Sequence, residues 1–237
     1  MSISVQNITK LYGTQRAVDG ISFEVSSGEI VGFIGPNGAG KSTTMKIITG
    51  FLSDFEGTVM VNGMDVRTNA LEVKKHIGYL PEHNPLYTEM YVREYLTFVA
   101  KMYGLGKDAK SAVDKVIEEI GLTKEQHKKI GMLSKGYRQR VGLASVLVHD
   151  PEVLILDEPT TGLDPNQLLE IRGLIEQVGK SKTVLLSTHI MQEVEAICNK
   201  VIVISNGHIV ANDTADNVKQ NKSLEQAFHE LTVQPTE

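Results

Sequence analysis

The residues GPNGAGKST at positions 35–43 fit the pattern G-x-x-x-x-G-K-[ST]. They follow an apolar run, residues 30–34, and precede a segment of helical periodicity, so they lie between a predicted strand and a predicted helix. Glycines there let backbone N–H groups wrap around a phosphate, and the helix N-terminus adds partial positive charge. Lys41 can reach the outer phosphates of a nucleotide, and Ser42 can hold Mg²⁺. The candidate phosphate-binding residues are Gly35, Pro36, Asn37, Gly38, Ala39, Gly40, Lys41, Ser42 and Thr43.

Two adjacent carboxylates, Asp157 and Glu158, follow the apolar residues 153–156. Because ligands bind beyond the carboxyl ends of parallel strands, we expect this strand to lie next to the strand at residues 30–34 and to share its crevice. Asp157 would then orient Mg²⁺, usually through a water, and Glu158 would polarise the water that attacks a γ-phosphate. The other interpretation is that the two carboxylates and Pro159 begin an ordinary loop.

The elements that must position these residues predict an α/β fold with a P-loop NTPase core and a mostly parallel sheet. Alternating apolar residues near the N-terminus predict an antiparallel β-subdomain, and Asn62-Gly63 and Asn206-Gly207 each predict a hairpin turn. Apolar residues at helical spacing in the middle of the chain predict an inserted helical subdomain. The expected organisation is one domain, 1–237, with a core at 1–86 and 150–220, a helical subdomain at 87–149 and a short C-terminal tail at 221–237.

Composition favours a cytoplasmic protein with no nucleic-acid partner. The net charge of -5 and the pI near 5.8 provide no basic field for polyanions. The single cysteine, Cys198, cannot form an internal disulfide, and the N-terminus lacks the features of a signal peptide. The longest apolar runs, such as residues 201–204, fall far below the roughly 20 residues that a membrane-spanning helix needs. If the protein acts at a membrane, another chain must span it.

Further motifs resemble those of the nucleotide-binding subunit of ATP-binding cassette (ABC) transporters. Residues 133–139, LSKGYRQ, resemble the family signature LSGGQ; residues 162–164, GLD, resemble the D-loop; and His189 matches the switch histidine. Together with the glycine-rich loop and the carboxylate pair, they occur in family order, and the resemblance covers residues 1 to about 210. It implies an ABC ATPase fold, ATP and Mg²⁺ as ligands, and ATP hydrolysis coupled to transmembrane transport.

The resemblance also implies that two subunits, expected to be a homodimer, pack head to tail. Ser134 and Gly136 of one chain would then cover the ATP on the glycine-rich loop of the other, and Asp164 is counted with the ATP-binding residues. Tyr12 resembles the aromatic residue that stacks on adenine, although it could be an ordinary exposed loop tyrosine. His189 would contact the γ-phosphate and orient the attacking water. The implied catalytic residues are Glu158, His189 and Lys41.

Three positions depart from the family pattern. Lys135 replaces a glycine of the signature and Tyr137 replaces its glutamine, whereas the phosphate-facing serine and glycine are retained. Glu82 stands where most relatives carry a glutamine that contacts Mg²⁺ and relays nucleotide state to the membrane subunit. Because a carboxylate brings charge as well as oxygen, we expect Glu82 to keep both roles. The expected metal ligands are Ser42, Glu82 and Asp157.

The glutamate in IGYLPE, the stretch LSKGYRQRVGLA and the segment SLEQAFHELT resemble the exporter branch in which ATPase and permease are separate chains. Two stretches are most similar to the ATP-binding subunit of the gliding-motility-associated exporter. Multidrug, sodium, lipid and polysaccharide exporters share the same ATPase chemistry, so each of them remains an alternative assignment. A soluble ABC ATPase acting on ribosomes or DNA is a further alternative. As an exporter subunit, the protein would lie on the inner face of the cell membrane, bound to its permease.

An apolar surface is expected near residues 82–103. Residues 85–87, with Tyr91, Tyr95 and Phe98, could form a docking site for a cytoplasmic helix of the permease. The alternative is that this apolar stripe is the core of the helical subdomain itself.

Overall fold

The computed structural model describes residues 2–233, which form ten strands and nine α-helices. The strands are β1 Ile3–Tyr12, β2 Gln15–Val25, β3 Ile30–Ile34, β4 Glu56–Val61, β5 Met64–Asp65, β6 Ile77–Leu80, β7 Val153–Asp157, β8 Thr183–Thr188, β9 Lys200–Ser205 and β10 His208–Thr214. The helices are α1 Lys41–Ile48, α2 Ala70–His76, α3 Val92–Met102, α4 Ala109–Glu119, α5 Lys135–Leu147, α6 Pro165–Gly179, α7 Met191–Ile197, α8 Ala215–Lys219 and α9 Leu224–Thr232. None of the helices in this range has the length and apolar character needed to span a bilayer.

The strands form a four-stranded antiparallel sheet and a six-stranded, mostly parallel sheet. The order in the large sheet is β10-β9-β3-β8-β7-β6, and its one antiparallel pair in the described chain is β10 with β9. The small sheet has the order β2-β1-β4-β5. This arrangement confirms the predicted α/β class with an N-terminal antiparallel β-subdomain.

The central strands of the large sheet are buried on both faces. Leu154 and Leu156 of β7 pack into the cluster that includes α3 to α6. Val153 and Ile155, on the opposite face, pack into the cluster that includes α1 and the small sheet. A strand covered on both faces needs apolar residues at every position, which explains the continuous run before Asp157.

The sequence predicts that the strand ending in Asp157 lies next to β3, and this prediction is wrong. The strand that ends in Asp157 is β7, and β8 lies between it and β3. Sequence patterns locate strands along the chain but do not fix their order in a sheet, because each crossover can pass one or more strands. The carboxyl ends of β3, β8 and β7 nevertheless lie on one edge, since all three strands run parallel.

Both predicted hairpins are confirmed. Asn62-Gly63 joins β4 to β5, and Asn206-Gly207 joins β9 to β10. All four turn residues have positive φ, between 48° and 79°, as a two-residue type I′ turn requires.

Helices α3, α4 and α5 lie between β6 and β7 in the chain, as the helical periodicity predicts. The apolar stripe of α3 divides into two parts: Leu96 and Tyr95 are buried, whereas Phe98 and Met102 are 41% and 71% exposed. Where this region meets the core, the ring of Tyr103 stacks on His149 with centroids 3.7 Å apart. Burial lowers the pKa of His149 to about 4, so this ring stays neutral at physiological pH.

The segment that the sequence predicts to be a C-terminal tail, residues 221–237, packs in part against the core. Helix α9 begins at Leu224, which is fully buried and packs with Val201 and Val203 of β9. Residues 234–237 of the expected tail lie outside the described part of the chain.

Candidate functional site

A cavity of about 400 Å³ lies at the edge where β3, β8 and β7 end. Its walls bring together most of the residues that the sequence singles out for phosphate binding and catalysis. The lining residues are Ala17, Asn37, Gly38, Gly40, Lys41, Ser42, Thr43, Glu82, Glu158, Thr161 and His189.

The glycine-rich loop owes its shape to two close backbone approaches. Gly40 precedes α1 with a φ of 110°, and a side chain there would overlap the carbonyl oxygen of Ala17. A side chain at Gly35 would overlap the carbonyl oxygen of Ile204. Glycine is therefore required at both positions. The result is a loop that packs its backbone closely against the carbonyl oxygens of β2 and β9 and leads into the N-terminus of α1, a geometry that fits a bound phosphate group.

Lys41 begins α1 and is 7% exposed. Its Nζ donates to the carbonyl oxygens of Gly35, at 2.7 Å, and Pro36, at 3.3 Å. These bonds hold the ammonium group over the loop, next to the positive end of α1. A cation and a helix N-terminus therefore act on the same part of the cavity, and both attract negative charge.

Asp157 ends β7 and is 2% exposed, so it lies behind the cavity wall. Ser187 Oγ, on the neighbouring β8, donates to Asp157 Oδ1 at 2.6 Å and fixes the carboxylate. Burial and, second, the negative charge of Asp157 raise the pKa of Tyr79 to about 12. Carboxylate and hydroxyl oxygens, such as those of Asp157 and of Ser42 in the cavity wall, are donors that suit Mg²⁺, which prefers oxygen ligands and keeps several waters.

Glu158 directs its carboxylate into the cavity through an unusual backbone conformation. Its φ is 51°, in the left-handed region that side chains other than glycine rarely adopt, and it is 9% exposed. Glu158 Oε2 accepts from Thr161 Oγ1 at 3.2 Å and lies 2.7 Å from His189 Nδ1. The carboxylate and the imidazole therefore form a hydrogen-bonded pair in the wall of the cavity that Lys41 also lines, an arrangement that can orient and activate a water.

Glu82 lines both this cavity and a neighbouring one of about 380 Å³. The neighbouring cavity is also lined by Lys135 and Arg138 of α5, the helix that begins in the signature motif and is called the signature helix below. Glu82 therefore lies between the glycine-rich loop and the signature helix. Within residues 2–233, no three His, Cys, Asp or Glu side chains converge to form a metal site. A metal held here would therefore take part of its coordination from hydroxyl, water or phosphate oxygens.

Several predicted residues do not line the cavity. Tyr12 ends β1, is 49% exposed, and has Lys10 Nζ 5.2 Å from its ring centroid. Ser134 caps α5 and accepts from Tyr137 N at 3.4 Å, and Asp164 caps α6 and accepts from Gln167 N at 3.0 Å. Pro36, Ala39, Gly35, Asp157 and Gly136 are the others outside the lining.

The signature and the D-loop contact each other within the chain. A side chain at Gly136 would lie 2.8 Å from the amide carbon of Gln167. Gly162, with a φ of 71°, lacks the side chain that would overlap the ammonium group of Lys135. The departure from the family pattern at Lys135 therefore places a cation against the D-loop of the same subunit.

Three residues that shape the site, Ala17, Thr161 and Ser187, lie outside the sequence motifs. Thr161 lies three positions after Glu158, and Ser187 lies two before His189, so proximity to the motifs was an available signal. Ala17 contributes through its backbone position on β2, which no local pattern indicates.

Comparisons with known proteins agree with this geometry. The family model described as ABC transporter matches residues 18–161. The bacitracin transport ATP-binding protein BcrA of Bacillus licheniformis is 38% identical over 220 residues, which are 92% of this chain and 71% of that protein. The Nod factor export ATP-binding protein I of Burkholderia orbicola (strain AU 1054) is 38% identical over 211 residues, covering 88% and 69%. A solved structure of an ATP-binding subunit of an ABC transporter matches with a TM-score of 0.87 and 29% identity, covering 98% of this chain and 99% of that one.

Gly40→Ala should weaken ATP binding roughly tenfold or more, because the left-handed backbone and the overlap with Ala17 both penalise a methyl group. Gly38→Ala is the matched control: its φ of 79° is also positive, but nothing lies within 4 Å of the added carbon. Calorimetric titration with ATP measures both affinities. Equal losses in the two variants would show that backbone strain, rather than the close approach to β2, governs the loop.

Proposed function

The chain belongs to the ABC transporter family, and on that premise we propose that it is the ATP-hydrolysing subunit of an exporter whose permease is a separate chain. It binds ATP with Mg²⁺ and is an ATPase, as members of this family are. The observation that carries the assignment of roles is the 2.7 Å contact between Glu158 and His189 in the cavity that Lys41 also lines.

In the proposed reaction, Glu158 acts as general base toward the attacking water, and His189 orients that water and contacts the γ-phosphate. The short contact between the two side chains supports their acting together. Lys41 stabilises negative charge on the outer phosphates through its ammonium group. Mg²⁺, when bound, neutralises phosphate charge, and Ser42, Glu82 and Asp157 are its proposed ligands.

The proposed working unit is a head-to-tail dimer with two ATP molecules between the chains. Ser134 and Gly136 do not line the cavity of their own subunit, which supports their contributing to the site of a second copy. Ser134 also caps α5, so the hydroxyl and the positive end of this helix share one surface. Burial of ATP between two such surfaces would make dimerisation depend on the nucleotide.

Glu158→Gln should reduce ATP hydrolysis about 100-fold or more, the usual contribution of a general base, while ATP binding persists. The variant should accumulate as a dimer when ATP is added, seen as a shift in gel filtration. Lys41→Ala is the contrasting control, because loss of a charged hydrogen-bond donor should weaken ATP binding itself by about tenfold or more. Normal turnover by the Glu158→Gln protein would overturn the assignment of the base.

Glu82→Gln should raise the Mg²⁺ concentration required for half-maximal ATPase activity by several-fold, because it removes a charge from the cavity wall. Glu89→Gln is the matched control, since Glu89 is exposed and pairs with Lys129 at 3.2 Å. An unchanged Mg²⁺ requirement and unchanged transport-coupled turnover would mean that a carboxylate at position 82 has no special role.

Export is the proposed direction of transport, supported by two relatives whose names refer to bacitracin transport and Nod factor export. Both are 38% identical to this chain although their cargoes differ, so overall identity does not select a cargo. The resemblance of two sequence stretches to the gliding-motility-associated exporter supports one candidate among them. We place the protein at the inner face of the cell membrane, bound to its permease.

A permease helix is proposed to dock on the exposed aromatic residues of α3 and the preceding loop. Tyr87 is 58% exposed, and its ring centroid lies 6.0 Å from that of Phe98, which is 41% exposed. Tyr95 beneath them is buried, so part of the predicted stripe belongs to the core and part is free for a partner. Leu86, the residue before Tyr87, packs partly against the core.

A Tyr87→Cys variant should form a thiol cross-link to a membrane-spanning chain that is co-expressed with it, and the cargo class can then be assigned from that chain. The native thiol should stay silent, because burial raises the pKa of Cys198 to about 12. Val210→Cys, on β10, is the control at an exposed apolar position away from α3. Absence of a product at position 87, or equal products at both, would remove the docking proposal.

A further inference from the structure

Helix α7 packs directly on the strand that leads into the glycine-rich loop. A side chain at Gly32 of β3 would lie 3.1 Å from Val194 Cγ1 and 3.2 Å from Cys198 Sγ. The same helix begins two residues after His189. It therefore connects the strand that feeds the phosphate loop to the segment that carries the histidine.

Glu193, in the first turn of α7, is 1% exposed. Its Oε2 accepts from Thr188 Oγ1 at 2.7 Å, whereas Oε1 is buried and has no hydrogen-bond partner within residues 2–233. Burying a carboxylate with one oxygen unpaired costs free energy. Stability alone does not account for a glutamate at this position, so a role in function is the better explanation.

The hydrogen bonds of Glu193 hold the residues on both sides of His189. Thr188 Oγ1, which donates to Glu193, also accepts from Ile190 N at 3.1 Å. Glu193 N in turn donates to Ile190 O at 3.0 Å. The residues immediately before and after His189 are therefore both held, directly or through one hydroxyl, by Glu193.

This fixed backbone determines where the imidazole lies. The side chain of His189 is 55% exposed, and its contact with Glu158 is the bond that orients it among the described side chains. An exposed imidazole depends on its backbone for position, because few neighbours restrain its rotamer. We propose that Glu193 is a positioning residue that holds His189 in hydrogen-bonding register with Glu158.

This inference rests on the proposed role of His189 in hydrolysis. Glu193→Ala should lower kcat about 10- to 100-fold, as misplacement of a catalytic group by about an ångström does, with KM for ATP little changed. Glu193→Gln keeps an oxygen that can accept from Thr188 and should restore most of the activity. Glu195→Ala is the matched control on the same helix, since Glu195 is partly exposed and pairs with Lys219 at 3.2 Å; its kcat should not change.

A double-mutant cycle separates positioning from general stability. If Glu193 acts through His189, the Glu193→Ala, His189→Ala double variant should be no slower than His189→Ala alone. Multiplicative losses, or a fall in ATP affinity that parallels the fall in kcat, would overturn the inference. If Glu193→Ala fails to fold, Thr188→Val removes the same hydrogen bond at nearly constant side-chain volume. The double-mutant cycle is then run with Thr188→Val and His189→Ala, and multiplicative losses there would overturn the inference. If His189→Ala alone hydrolyses ATP normally, the proposed role of His189 fails, which is a distinct result.

Discussion

The parallel register of β3, β8 and β7 determines where the reactive groups of this protein meet. Ile34 of β3 pairs with Thr188 of β8, and Asp157 of β7 pairs with Ser187 of β8. Because the three strands end at the same level, the loops that follow them open into one cavity. The lysine, the glutamate and the histidine of that cavity come from three separate stretches of chain, and this register brings them into the walls of the same cavity.

The parts of the site that a sequence can predict are those encoded by short, contiguous patterns. The glycine-rich loop and the two asparagine-glycine hairpins are of this kind, because each depends on backbone angles that few residues adopt. No local sequence pattern indicates that β8 lies between β3 and β7, and the prediction that β3 and β7 are neighbours was therefore wrong. Ser187 was missed for the same reason, since its bond to Asp157 joins two strands that lie 30 residues apart in the chain. Thr161 and Glu193 bond to residues only three and five positions away, but neither belongs to a recognised motif.

The signature helix illustrates how one departure from a family pattern can matter locally without altering the fold. Lys135 stands where the signature pattern LSGGQ has a glycine, and its ammonium group lies against Gly162 of the D-loop. Gly136, the next residue, packs on Gln167 of α6. The signature turn and the D-loop thus form a single packed unit within one subunit. In the proposed head-to-tail dimer, a second copy would meet both together, so a shift of either should affect the interface with the partner and the segment near Glu158 at once.

The backbone is strained at Glu158, directly after β7 ends, and not within the strand itself. A left-handed conformation at a residue other than glycine costs about 1–3 kcal/mol, and it persists only where surrounding contacts determine it. Here the amide of Glu158 still donates to Ser187 O at 3.0 Å, so the turn begins without breaking the sheet. The carboxylate then gains Thr161 and His189 as partners. A relaxed extended residue would continue the strand direction instead. The strained angle is therefore the means by which the residue that directly follows a buried strand places its side chain in the cavity.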